Sequence, residues 1–107
     1  MGYIWPQILS MEGAKRTIAS DLIAQQILDR LYFPEPLEQL YEETDAPPSV
    51  VRDVLIRLVD AGMVSVLEYD KRQSDWLPTA IFDKDNLLEY RFVITRKGLM
   101  VHNLSAE

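Results

Sequence analysis

The chain has 107 residues, 48% of them hydrophobic and 26% charged, with no cysteine and a formal net charge of −6. That length fits one domain around one core, and the composition is that of a globular protein, neither disordered nor membrane-spanning. Without cysteine there is no disulfide framework, thiolate nucleophile or thiolate metal site, so a reducing cytoplasm is expected. The negative balance argues against a non-specific nucleic-acid binder, which needs a concentrated excess of Lys and Arg.

The start, Met1-Gly2-Tyr3-Ile4-Trp5-Pro6, has no basic n-region, and Pro6 stands where a myristoylation signal needs Ser or Thr. No targeting signal is expected, and no apolar run approaches the roughly 18 to 20 residues of a membrane helix. Residues 1–14 nevertheless carry Tyr3, Ile4, Trp5, Ile8, Leu9 and Met11, too much apolar surface for a free tail. They are expected to dock, either on their own domain or at a homodimer interface formed by this segment, the first helix or both. A second copy would add stability, because a domain this small buries a modest share of its surface.

From Lys15 to Tyr32, the residues Ile18, Leu22, Ile23, Ile27, Leu28 and Leu31 recur at three- and four-residue spacing, the pattern of an amphipathic helix. Pro34 and Pro36 stop it. Pro36 then suits the first turn of a second, two-turn helix with Leu37, Leu40 and Tyr41 on one face. Asp45-Ala46-Pro47-Pro48-Ser49 is turn chemistry, with Asp45 as a cap, and it opens a third helix. Val51, Val54, Leu55 and Leu58 form its buried stripe, while Ser49, Arg52, Asp53, Ile56, Arg57 and Asp60 face outward. Gly62 ends it in left-handed backbone.

Met63 to Tyr69 is rich in β-branched and aromatic residues, and Leu88, Tyr90, Phe92 and Ile94 alternate with Glu89, Arg91, Val93 and Thr95. These read as two paired strands. The long segment between them, Asp70 to Leu87, holds Trp76, Leu77, Pro78, Ile81 and Phe82, a patch suited to packing or to a protein partner. Thr95 can cap a last short helix through Leu99 to His102, which leaves 104–107 as a tail.

Two helices joined by a three- to four-residue turn, the second followed by Gly62 and a hairpin, make a helix-turn-helix with a wing. The residues that carry the likeness are Ser49-Val50-Val51-Arg52-Asp53-Val54-Leu55-Ile56-Arg57-Leu58-Val59-Asp60-Ala61-Gly62-Met63-Val64 and Tyr90-Arg91-Phe92-Val93-Ile94-Thr95-Arg96-Lys97-Gly98-Leu99. Through them the chain resembles winged-helix transcriptional regulators. In such regulators the recognition helix ends in Leu, then Gly and an apolar strand, and the returning strand ends in Thr, two variable residues, Gly and an apolar residue. Residues 15 to 102 share the resemblance. It implies a mainly α domain with a small β-hairpin (α+β) over 15–103: a three-helix core, a two-stranded wing and a short C-terminal helix.

The same resemblance implies a sequence-specific DNA-binding regulator that acts as a homodimer; from the residues themselves no cofactor and no metal are expected. Arg52 and Arg57 of the third helix would reach bases or phosphates, Ser49 a phosphate at the helix start, and Lys71 and Arg72 would sit on the wing. The plainer reading of these cations is solvated surface. Asp53 and Asp60 share the exposed side with the arginines, and Glu35, Glu38, Glu42, Glu43 and Asp45 lie just upstream, where they would repel phosphates. A winged-helix module that binds protein and not DNA is therefore the alternative. A contiguous basic face on the third helix would favour DNA, and a mixed or acidic one a protein.

Catalytic signals fail one by one, so no enzyme is expected. His102 is the only histidine and has no evident partner for a metal site or a Ser-His-Asp relay. Asp83-Lys84-Asp85-Asn86 starts like a calcium loop, but Leu88 stands at the Gly position and the closing Glu is missing, which leaves a solvated turn. Gly2, Gly13, Gly62 and Gly98 are too scattered to cradle a phosphate. Asn103-Leu104-Ser105 matches a glycosylation sequon by chance, and Glu42 and Glu43 point in different directions on a helix.

Overall fold

The computed structural model describes residues 22–106, with side chains to Asn103. The expectations for residues 1–14 and for Ile18 lie outside the described residues. In α1, residues 22–30, Ile23, Ile27 and Leu28 turn into the core, and Leu31 follows them. Leu22 is exposed, contrary to the expected stripe. At 3.6 residues per turn it falls on the line of Gln25, Gln26 and Asp29 rather than of Ile23 and Ile27.

The chain leaves α1 at Leu31, whose carbonyl oxygen accepts the Ile94 N–H at 2.8 Å. Proline fixes its own φ and biases the preceding residue away from helix, so Glu35 and Pro36 run extended. They form β1 (Glu35–Pro36), with Glu35 opposite Phe92 and Pro36 opposite Arg91. Helix α2 (Leu37–Glu43) buries Leu37 and Leu40, and a four-residue turn leads to α3 (Pro48–Asp60), which buries Val51, Val54, Leu55 and Leu58. Asp45 is not its cap. The N-cap is Pro47 with no side-chain bond, and the Asp45 N–H donates to Gln26 Oε1 at 3.0 Å. Prolines suit this opening because the N–H they lack has no intrahelical partner. Ile56, expected outward, is half-buried against the core.

Among the described residues four antiparallel strands, not two, follow the order β1-β4-β2-β3. The expected pair is present: β2 (Val64–Asp70) sets Val64 opposite Ile94 and Val66 opposite Phe92 of β4 (Arg91–Ile94). Within the segment read as a packing wing lies a further strand, β3 (Asp75–Thr79), with Trp76 opposite Tyr69 and Thr79 opposite Val66. Both added strands contain proline and both are edge strands, where a missing N–H breaks no ladder. Leu88 is not in a strand. Asp83 accepts the Asp85 N–H at 2.9 Å and Asn86 Nδ2 at 2.6 Å, opening a 3-10 turn over Lys84–Glu89 that buries Leu87 and exposes Leu88. The alternation holds from Tyr90 onward.

One face of the sheet, through Val64, Val66, Phe92 and Ile94, joins α1, α2 and α3 in the core. The architecture is therefore α+β with a four-stranded antiparallel sheet. Thr95 caps α4 (Arg96–Ala106) as expected, accepting the Gly98 N–H at 3.0 Å, while its hydroxyl donates to the Gly62 carbonyl at 2.6 Å. That helix runs four residues past His102, so most of the expected tail is helical. His102 is packed, with Nε2 at 2.6 Å from Asp29 Oδ1 and Nδ1 at 2.8 Å from Gln25 Oε1. Among the described residues no helix is long and apolar enough to cross a membrane.

Two glycines carry different constraints. Gly62 has φ +78, and a methyl there would meet only the Lys97 side chain at an ordinary 3.8 Å, whereas a methyl on Gly98 would sit on the Met63 carbonyl and against Ile94 Cγ1. Gly62→Ala should therefore cost about 1 to 2 kcal/mol through backbone strain, and Gly98→Ala about 3 kcal/mol through overpacking. Urea unfolding measures both, and equal losses would contradict the close approach at Gly98.

Candidate nucleic-acid interface

The five residues singled out in the sequence lie on two elements. Ser49, Arg52 and Arg57 are exposed on α3, as expected, and Lys71 and Arg72 are exposed in the turn between β2 and β3. On a helix with 3.6 residues per turn, Arg52 and Arg57 are five positions and roughly 140° apart. They serve two adjacent stripes. Arg52 follows Ser49 by three residues, whereas Arg57 has Asp53 four residues before it and Asp60 three after it, both close neighbours on a helix surface.

Arg52 also lines a concavity of about 310 Å³ with Leu37 and Tyr41 of α2 and with Lys84, Leu88 and Glu89 of the 3-10 turn. Lys71 and Arg72 belong to a different concavity, of about 410 Å³, with Glu68, Tyr69, Leu77 and Pro78. The turn that carries them is held by Asp70, whose Oδ1 accepts the Arg72 N–H at 2.8 Å. Asp75 closes the same turn opposite Asp70. Arginine and lysine at the tip are thus matched by two carboxylates at its root, just as Arg52 and Arg57 are matched by Asp53 and Asp60. The α3 face is mixed in charge, not contiguously basic. Among the described residues Arg30 pairs with Glu43 at 4.0 Å, and neither arginine of α3 takes part in an ion pair.

Sequence reasoning missed three further cations. Lys84 faces Arg52 across the smaller concavity. Lys97 donates to the Ala61 carbonyl at 2.8 Å, placing positive charge at the C-terminal end of α3, where the helix dipole favours it. Arg91 lies with its guanidinium 4.5 Å from the centroid of the Trp76 ring, and Trp76 meets Tyr69 edge-on at 5.4 Å. The outward phase of Arg91 was legible from the alternation of β4. Its partner was not, because β3 was not expected. No family model, no curated protein and no solved structure matches this chain.

These side chains are exposed and held by little, so their loss should leave the fold alone. Arg52→Ala, Arg57→Ala and Lys71→Ala are each expected to change stability by less than about 0.5 kcal/mol, the usual range for surface changes. Asp70→Ala removes the bond that shapes the turn and should cost about 1 kcal/mol. Thermal melts of the four variants separate the two groups.

Proposed function

We propose that the chain is a winged-helix module that reads duplex DNA as a transcriptional regulator, with α3 as recognition helix and the β2–β3 hairpin as wing. The observation that carries this reading is the outer face of α3, where Ser49, Arg52, Asp53, Arg57 and Asp60 are all exposed. That helix is the second of two joined by a four-residue turn and is followed by Gly62 and the hairpin. An exposed helix of this kind fits the major groove, where arginine pairs with guanine and serine contacts phosphate. The cytoplasm is the compartment this role calls for.

Specific binding by such a face depends on base edges more than on phosphate, because its charges balance. A homodimer, pairing two half-sites with two-fold symmetry, supplies the base pairs that one helix cannot read. The exposed Leu22 of α1 and Phe33 just beyond it, 60% and 75% accessible, offer apolar surface for that pairing. Sedimentation at high micromolar concentration should give a dimer, and a monomer there would remove this part of the reading.

A second reading, docking of a protein on the same module without DNA, is favoured by the mixed charge of α3 and by Ile81, which is 87% accessible on the segment between β3 and β4. Selection from random duplex DNA at low and moderate salt separates the two. Under the DNA reading a duplex is enriched, its affinity falls with a logarithmic salt slope of about 3 to 5, and Arg52→Ala with Arg57→Ala abolishes the preference while the fold persists. Enrichment of no duplex at low salt would leave the protein reading, and a double variant that binds as wild type would move the contact off α3.

A further inference from the structure

Among the described residues β3 is the outer strand of the sheet, and its free edge offers no donor to a further strand. The Ile94 N–H points away from β2, to the Leu31 carbonyl at 2.8 Å. Bonding direction alternates along an antiparallel strand, so Phe92 and Ile94 bond toward β1 and Leu31, while Arg91 and Val93 bond toward β2. Leu67, opposite Arg91 on one side and Pro78 on the other, therefore bonds to β4 and not to β3. The same alternation turns the backbone of Asp75, Leu77 and Thr79 toward β2 and that of Trp76 and Pro78 outward. Neither outward residue has an N–H to give. Pro78 carries none, and the Trp76 N–H donates to Asp75 Oδ1 at 2.8 Å.

We propose that Asp75 and Pro78 together seal this edge, so that a second copy of the chain cannot extend the sheet through β3 and the β2–β3 hairpin stays a two-stranded ribbon. A sheet edge with free donors and acceptors is a template for self-association. The hazard here is real, because β2 holds Val64, Val66, Leu67 and Tyr69 and β3 adds Trp76 and Leu77, residue types that pair readily as strands. Two copies of β3 laid antiparallel about Leu77 would set Trp76 of one against Pro78 of the other. Every bond of that pairing needs an N–H that is missing or already taken. Asp75 Oδ1 also occupies the place where a carbonyl oxygen of the second copy would meet the Trp76 N–H.

Both side chains are exposed, so packing does not account for their presence in β3. Aspartate and proline are poor strand residues in general, and proline is tolerated only where its missing N–H faces out of the sheet. The opposite flank is closed in another way, by β1 and the Leu31 carbonyl. Pairing of two copies is thereby left to surfaces other than the β3 edge, and the inference stands whether or not α3 reads DNA.

Amide exchange of the full chain, read residue by residue by NMR, tests the first half of the seal. In Asp75→Ala the Trp76 amide should exchange about fivefold faster than in the wild-type chain after correction for the neighbouring side chain, the effect of losing one ordinary hydrogen bond. Asp75→Asn keeps a side-chain carbonyl that can accept, and should stay within about twofold of wild type. Sedimentation of the double variant Asp75→Ala, Pro78→Val tests the whole. It should associate beyond the wild-type state, at least about tenfold more tightly, with protection at Trp76 and position 78 that rises with protein concentration while Phe92 and Ile94 keep theirs. Pro78→Thr takes the place of Pro78→Val should that variant lose its core protection. Equal exchange of the Trp76 amide in wild type and Asp75→Ala overturns the proposal. So does a double variant that keeps its core protection and sediments as the wild type does.

Discussion

The junction of Gly62, Met63, Thr95 and Gly98 fixes how α3 stands against the sheet. The Met63 N–H donates to the Leu58 carbonyl at 2.9 Å, and its own carbonyl accepts the Thr95 N–H at 2.9 Å. Gly98 packs against that same carbonyl with no room for a side chain. Around this point the end of α3, the start of β2, the end of β4 and the start of α4 converge, tied further by Thr95 Oγ1 to the Gly62 carbonyl. Any residue that pushed α4 away would open the route between α3 and β2. The Ile94 N–H bond to the Leu31 carbonyl then links α1 to the same strand. The orientation of the α3 face is thus held by backbone contacts at its C-terminal end together with the buried stripe of Val51, Val54, Leu55 and Leu58.

Charge is distributed in a way that separates structural from available cations. Lys97 serves the carbonyl end of α3, Arg91 lies on Trp76, and Arg30 pairs with Glu43 at 4.0 Å. Arg52, Arg57, Lys71 and Arg72 stay exposed, each with a carboxylate nearby in sequence. A surface balanced in this way gives up the sequence-independent attraction to phosphate and leaves geometry to do the selecting. The same balance makes the surface tolerable to a protein partner, which is why the charge pattern by itself favours the second reading and the exposed α3 favours the first.

Elements with local signatures were legible in the sequence: the buried stripe of α3, the left-handed residue at Gly62, the Thr95 cap and the pairing of β2 with β4. The first three depend on residues within one turn, and the pairing follows from two strands that each show their own β pattern. Two of the features that escaped depended on distant partners, and one on a local side chain. Glu35 and Pro36 became a strand only because the β4 edge was there to receive them. Trp76, Leu77 and Pro78, read as part of a packing patch, fell in β3 through its register with β2. Leu88 carried the right period for a strand, but the Asp83 side chain offered the backbone a helical turn first. On the interface, the exposure of Ser49, Arg52, Arg57, Lys71 and Arg72 followed from periodicity. That Arg52 faces the 3-10 turn and not the hairpin tip did not, since it depends on where the inter-strand segment returns.

The hairpin joins these threads. Its ladder with β4 ends at Leu67, so residues 68–77 extend as a ribbon of two strands. Two strands alone are marginal in water, and this ribbon is braced by the edge-on contact of Tyr69 with Trp76 and by the Asp70 turn. Arg91, at the last paired position of β4, reaches over Trp76 and so ties the root of the ribbon to the sheet. The direction in which Lys71 and Arg72 point relative to α3 therefore depends on the outer side of the sheet, where Leu67, Trp76 and Arg91 meet. Whatever covers that side stiffens the ribbon, and a stiffer ribbon fixes the distance between the two elements that a duplex or a protein would have to contact together.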